Sequence, residues 1–444
     1  MVVDVASKLQ VSKSKETHLE TMAGTLSHLV KHIGENGHTK ASLTYEWYSA
    51  TWFRDASMVV LGLADTAEIF RNVDKSRSRE AQSAASSVLG FMWSSIARHK
   101  ENIGRSLALD QKSEEFKQLR NHLPARLGPE GKYFEATLKH GESYNDNIED
   151  GRDSWLRQYD SVPLAIIATE RFVDAFGTGA LNTQTKAKIK SMLNDSMSYM
   201  IKTYRTPCAN AWELDWDEVH SYDLAATSRG IRSAFSLAQK LGIKLDVANP
   251  EQKADEIDLF LEKTFARDGV LYKSVKSMGG EEVAPEPNRE VDASEIFIFS
   301  IFKPNLSDGI EEKTLKEMEK QLFGVNALPL RYLGDEYFTG GRWLLLGLAF
   351  AKYYSEHDRA GDAERIIKYV EDKYMQKGYM LPEQEIVNPA SPNGDPDHYL
   401  EMNGGSPISD LGWSESEYLR ASVAYYRAVN FKAQSGPLII IERP

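Results

Sequence analysis

Two kinds of helix alternate along this chain, and that alternation limits the folds open to it. The stretch from Trp343 to Tyr354 is apolar almost all round, which fits a helix covered on most sides. The stretch from Tyr418 to Val429 is similar, with Ala421, Ala424 and Ala428 permitting close approach. By contrast, Ile189, Met192, Leu193, Met197 and Met200 recur at helical spacing, with Lys186, Lys188, Lys190 and Asn194 between them. That pattern predicts an amphipathic helix with one face in water. Helical patterns fall near 16–35, 54–71, 78–99, 160–175, 182–204, 222–241, 250–266, 292–302, 310–322, 340–355, 359–374 and 413–430. Buried and amphipathic members in turn predict an all-α toroid of helical hairpins, an inner ring inside an outer one.

Long polar connections run over 101–158, 205–220, 267–291, 323–341 and 375–412, rich in Gly, Pro, Asn, Asp and aromatic residues. Loops of that length in a compact domain usually carry function, and in a toroid they can meet at one mouth. No linker divides the 444 residues, so a single domain over 1–444 is expected. A net charge of −12 without a basic block excludes general nucleic-acid binding. The lone Cys208 allows no internal disulfide and fits a reducing compartment. The start of the chain has no signal-peptide pattern and no apolar run approaches a membrane span. A cytoplasmic location follows as an expectation, and the oligomeric state stays open.

Five clusters in these loops carry the chemistry. The first, Tyr45 to Ser57, holds Tyr48, Trp52, Arg54 and Asp55 just before an apolar helix. Asp55 suits the positive end of that helix, and Arg54 could simply pair with it. The second runs from Trp155 through Arg157, Gln158 and Tyr159 to Asp160 and Ser161, where helix capping is an equally simple reading. In the third, Asn210 to Asp223, the tryptophans Trp212 and Trp216 stand among Glu213, Asp215, Asp217 and Glu218. An acid packed beside an indole has its pKa raised, as a general acid requires. The fourth, Leu330 to Trp343, places Arg331 in a loop and Trp343 at the opening of the buried helix. The fifth sets Glu383 beside Pro382, with Trp413 further on; there Ser414 and Glu417 read as a capping box for the last helix. Glycoside hydrolysis needs two carboxyl groups, aromatic faces for the sugar and polar pairs for its hydroxyls, and these loops supply all three. No phosphate-binding glycine loop, zinc-binding HExxH helix or Gly-x-Ser-x-Gly elbow is present.

Taken in order, the clusters resemble glycoside hydrolase family 15, the glucoamylase family, from about Tyr45 to about Arg427. The resemblance implies an (α/α)6 barrel, inversion at the anomeric carbon, no metal and no organic cofactor. It assigns Tyr48, Trp52, Arg54, Asp55 and Trp155 to sugar binding, with Trp212 and His220 flanking the general acid. Glu213 matches the acid, although an alignment to Asp217 or Glu218 is open. Asp292 to Ser294 resembles a structural segment, Arg331 and Trp343 match the fourth segment, and Glu383 matches the base in a segment that includes Trp413. The expected activity is exo-hydrolysis of short malto- or isomalto-oligosaccharides, leaning to α-1,6 linkages such as isomaltose. An α,α-trehalase of the same family is the alternative. A helical-toroid sugar isomerase or epimerase, or a non-catalytic sugar binder, is a more distant one.

Overall fold

The computed structural model describes residues 17–110, 113, 116, 123–132, 135–137, 143–145, 158–215, 217–279, 282–323, 327–385 and 408–434. Six helices form the inner ring: Phe53–Val73, Ser161–Phe176, Ser221–Leu241, Glu295–Phe297 continuing into the π turn Ile298–Phe302, Leu344–Glu356 and Gly412–Gln434. Each packs against the next, and the last packs against the first, so the ring closes. The outer helices are 17–29, Lys75–Arg98, Thr183–Thr203, Pro250–Phe265, Ile310–Met318 and Ala360–Tyr374, each preceding its inner partner in the chain. The protein is thus an all-α (α/α)6 barrel.

Hydrophobic pattern decides which helix goes where. Leu344 to Ser355 are all buried, as expected of an element covered on both sides. On the outer helix Thr183–Thr203, Ile189, Met192, Leu193, Met197 and Met200 are buried while Lys190 is exposed. Asn182 starts that helix by accepting the backbone N–H of Thr185, and Asp74 caps Lys75–Arg98 through Ser76 and Arg77.

Two readings need correction. Helix Lys100–Ala108 is present where the sequence reads only loop. Sheet is expected only as small loop hairpins, yet several ladders join separate loops: Thr51–Trp52 pairs with Arg126–Leu127, Glu218–His220 with Ser274–Lys276, and Arg342–Trp343 with Gln384–Glu385. Connections that meet over a closed ring must satisfy their buried backbone groups, and they do so against one another. No helix among the described residues is long and apolar enough to cross a membrane.

The inner helices begin immediately after Trp52, Asp160, His220, Ser294, Trp343 and Leu411. The loop residues before all six inner helices therefore meet at one mouth, where the N-terminal ends of helices favour negative charge.

Candidate active site

The acid-bearing loop is built around Asn210. Its side-chain oxygen accepts the N–H groups of Trp212 and Leu214 at 2.8 and 3.0 Å, and its own N–H donates to the Leu214 carbonyl at 2.9 Å. This tight turn puts Glu213 in the left-handed region, φ 66°. A side chain there is strained by roughly 1–2 kcal/mol, and such strain persists where surroundings over-determine it. The turn delivers Glu213 to two donors. Trp52 Nε1 and Gln158 Nε2 both donate to Glu213 Oε1, at 2.8 and 2.9 Å. Oε1 is thus doubly engaged.

Arg54 fixes this loop from below. Its Nε donates to Asp160 at 2.5 Å, Nη1 to the Ala211 carbonyl at 2.7 Å and Nη2 to Gln158 Oε1 at 3.1 Å. Neither simple reading of the sequence holds here. Arg54 pairs with Asp160 rather than with Asp55, and Asp160 makes no side-chain capping bond. His220 is likewise a brace. Burial holds it down to about 4, hence neutral, and its Nε2 faces the carbonyls of Cys208 and Asp215, each at 3.0 Å.

Across the mouth, Glu383 sits in a segment clamped between two inner helices. Its N–H donates to the Ile408 carbonyl and its carbonyl accepts the Leu344 N–H. Ser414 Oγ donates to the Pro382 carbonyl at 2.9 Å. That corrects the capping box: helix Gly412–Gln434 already includes Ser414, whose hydroxyl ties the helix to this segment, and Glu417 takes Arg420 and Trp413 instead. Burial pushes Glu383 up to about 8; Arg331 opposes the shift, while Asp55 and Glu213 add to it. Its Oε2 is buried with no hydrogen-bond partner among the described residues. Asp55, in the first turn of its helix, is pushed by burial up to about 7, against the pull of Arg54 and with Glu213 adding. The Tyr48 hydroxyl, 2.8 Å from that of Tyr337, is raised by burial and then by Glu383, Glu213 and Asp55. One tyrosine thus feels all three carboxyl groups.

Aromatic rings wall the space between. Tyr48 lies 5.2 Å from Trp52, and Trp343 lies 5.1 Å from Trp212 and stacks on Tyr337. The Arg331 guanidinium covers Trp343 at 4.9 Å and Trp212 at 5.2 Å while Asp335 holds it bidentately, at 2.5 and 2.9 Å. Trp212 Nε1 donates to Asp292 at 2.9 Å, which explains the segment around Asp292 as support for an indole. Trp343 Nε1 has no partner among the described residues. Trp413 stands apart, against Phe297 and Glu417.

The fold therefore gathers Tyr48, Trp52, Asp55, Trp212, Glu213, Arg331, Trp343 and Glu383 around one space, and turns Arg54, His220 and Trp413 to support. Trp155 and Trp216 lie outside the described residues. The rival acids are placed elsewhere. Asp217 is exposed, and Glu218 binds the Ser274 hydroxyl in a neighbouring ladder, among Asp215, Lys273 and Asp217. Sequence reasoning gave no role to Asn210, Tyr337, Asp335 or Arg126, whose guanidinium lies 5.4 Å over Trp52. Tyr337 and Arg126 gain theirs from pairing across the ring, whereas Asn210 and Asp335 act on residues two to four positions away.

Residues 22–298 match the family described as "Glycosyl hydrolases family 15". No curated protein sequence matches the chain. Among solved structures, a wild-type glycosidase superposes with a TM-score of 0.72 at 18% identity, covering 93% of this chain and 98% of that one; the same figures hold for a glycosidase variant in complex with glucose. A glucoamylase of Hormoconis resinae gives 0.59 at 14% identity over 93% of this chain and 74% of that one. The glucoamylase of Saccharomycopsis fibuligera gives 0.56 at 14% identity, over 93% and 96%.

Proposed function

Because the chain belongs to glycosyl hydrolase family 15 and is a glycoside hydrolase, we propose that it is an inverting exo-α-glucosidase of short oligosaccharides. Glu213 is its general acid and Glu383 its general base. One observation carries the reading most directly: Glu213 and Glu383 share an electrostatic field, yet one is fastened through a single oxygen and the other keeps a buried oxygen without a partner.

In the proposed reaction a terminal glucose enters the aromatic walls. Glu213 Oε2 gives its proton to the glycosidic oxygen as that bond breaks. Glu383, which in the empty site keeps its own proton up to about pH 8 and serves as base only once that proton has left, takes a proton from a water, which attacks the anomeric carbon from the opposite face, so β-glucose leaves. This requires the carboxyl groups to stand roughly 6.5–9.5 Å apart, with room for the water. Tyr48 and Tyr337 are the hydroxyls beside that water. A solved glycosidase of the same fold is in complex with glucose, which supports a glucose-sized sugar as the occupant. Short chains are the substrates in this reading, with isomaltose preferred. A single experiment tests this: incubate the protein with maltose, isomaltose, trehalose and a longer dextrin, and follow anomeric protons by NMR. The expected result is β-glucose appearing first, fastest from isomaltose. First release of α-glucose would overturn inversion, and release from trehalose alone would replace the substrate assignment.

A further inference from the structure

Away from this pocket, ring closure draws together four titratable side chains that the reaction leaves unused. His28 lies at the end of helix 17–29 and His32 in the turn Val30–His32 that follows. Residues four apart on a continuing helix face the same side. Opposite them stand Asp410 and Glu415, at the start of the last inner helix. All four are buried, the most accessible of them being His28 at 8%.

His28 Nδ1 is 2.9 Å from Glu415 Oε1 and 3.5 Å from Asp410 Oδ1. His32 Nε2 is 3.2 Å from Asp410 Oδ1 and 3.7 Å from Glu415 Oε1. The four ligand-type atoms all lie within 4.8 Å of one another, and each nitrogen faces both oxygens. Four tetrahedral ligands bonded at about 2.0–2.1 Å to one ion stand roughly 3.3–3.4 Å from each other. The four nitrogen–oxygen separations bracket that spacing.

Two further observations point inward. His32 Nδ1 lies 3.0 Å from the Lys40 carbonyl oxygen, which can only accept, so Nδ1 carries hydrogen. A neutral His32 then aims the Nε2 lone pair at two carboxylate oxygens, an arrangement that requires a positive charge between them. A backbone carbonyl fixing the outer nitrogen of an imidazole is the usual support of a metal-binding histidine. Glu415 Oε2, on a side chain with no exposure, has no hydrogen-bond partner among the described residues.

We propose that His28, His32, Asp410 and Glu415 form a structural site for a divalent first-row transition metal, zinc first among them. Two imidazoles select such an ion over calcium or magnesium, and four protein ligands close the coordination sphere, leaving no position for substrate. The site joins the first outer helix to the last inner one. It also abuts the base segment, since Leu411, next to Asp410, donates to the Leu381 carbonyl. The proposal departs from the sequence expectation of no metal. His28 and His32 stand four apart, but His28 and Glu415 are 387 residues apart, and that long-range pairing is hidden in the chain order.

The test uses the full chain, stripped with a chelator and dialysed into metal-free buffer. Zinc chloride is then titrated in, with bound metal read by mass spectrometry and unfolding temperature by calorimetry. The expected result is about one equivalent of zinc per chain and an unfolding temperature that rises with zinc and falls again with chelator. Asp410→Asn and His28→Gln, of which at least the near-isosteric first keeps the fold, should bind zinc at least tenfold more weakly and lose the zinc-dependent shift. Absence of stoichiometric zinc with an unmoved unfolding temperature overturns the proposal, leaving a proton-held ion-pair cluster. So does wild-type zinc binding in both variants. Neither readout uses turnover, so failure here leaves Glu213 and Glu383 untouched, and the converse holds.

Discussion

The two sides of the pocket are made differently. On the acid side the groups hold one another: Asn210 knots the loop, Arg54 reaches Asp160 and two loop groups, and Trp52 and Gln158 both hold Glu213 Oε1, although Asp160 Oδ1 has no partner among the described residues. On the base side Glu383 is buried with less support: it rises to about 8, and its Oε2 has no partner among the described residues. Under the proposed assignment the contrast suits two tasks: a proton donor is aimed at a fixed oxygen, and a base takes up a water and a proton on an oxygen left for them.

The largest expected effects come from removing the groups themselves. Glu213→Gln keeps the size and the donors from Trp52 but cannot give a proton, so turnover of natural disaccharides should fall at least about 10²–10⁴-fold. The loss should be smaller on glucosyl fluoride, whose leaving group needs little protonation. Glu383→Ala should lose a similar factor on both substrates. Steady-state kinetics on the two substrates checks this. A near-normal rate in Glu213→Gln with collapse in Glu218→Gln would move the acid to the ladder strand and dissolve the comparison.

Next comes Arg54→Ala. It leaves the Asp160 carboxylate buried without its partner, and breaking one side of a buried pair costs about 3–5 kcal/mol. Urea unfolding should register that loss, together with a fall in activity from the loosened loop. If stability is unchanged while activity falls, Arg54 contacts sugar rather than holding the loop. Trp52→Phe is gentler. It keeps a ring beside Tyr48 but deletes one hydrogen bond to Glu213, and bonds to charged groups are worth about 1.5–3 kcal/mol. A roughly tenfold or greater drop in kcat with little change in unfolding temperature is expected. A change confined to KM would make Trp52 a sugar platform only.

How much of this was legible in the sequence follows from the same contrast. The alternation of Trp343–Tyr354-like and Ile189–Met200-like stretches is local, and it places the rings correctly. Each aromatic cluster precedes an apolar run, so the residues at the mouth are also legible. What the chain order conceals is pairing across the ring: Tyr48 with Tyr337, 289 residues apart, or Arg54 with Asp160, 106 apart. Asp160 before a helix reads as a cap, and His220 near an acid reads as a ligand for sugar. Both are instead supports, because a closed ring brings an arginine to one and two loop carbonyls to the other. Ser414 failed as a cap for a related reason: the helix began two residues earlier, once Gly412 N–H had found the Ala41 carbonyl.

The smallest effect is the most direct probe of the base side. Glu383 has a folded pKa of about 8 against an ordinary value of 4.5. Between those pH values the unfolded chain has lost this proton while the folded one keeps it. Stability therefore falls as pH rises from about 4.5 towards 8, since the folded state binds more protons there. Asp55 adds a similar fall between about 4 and 7. Glu383→Gln cannot ionise, so its share of the decline disappears. The unfolding temperature of the variant should exceed that of the parent by a few degrees or less at pH 8, and the gap should close towards pH 5. Calorimetry at both pH values measures it in the empty protein, without substrate. A constant gap, or one that widens towards pH 5, would mean that the Glu383 charge is compensated after all. The two sides of the pocket would then be supported alike, and the division of tasks would have to rest on geometry alone.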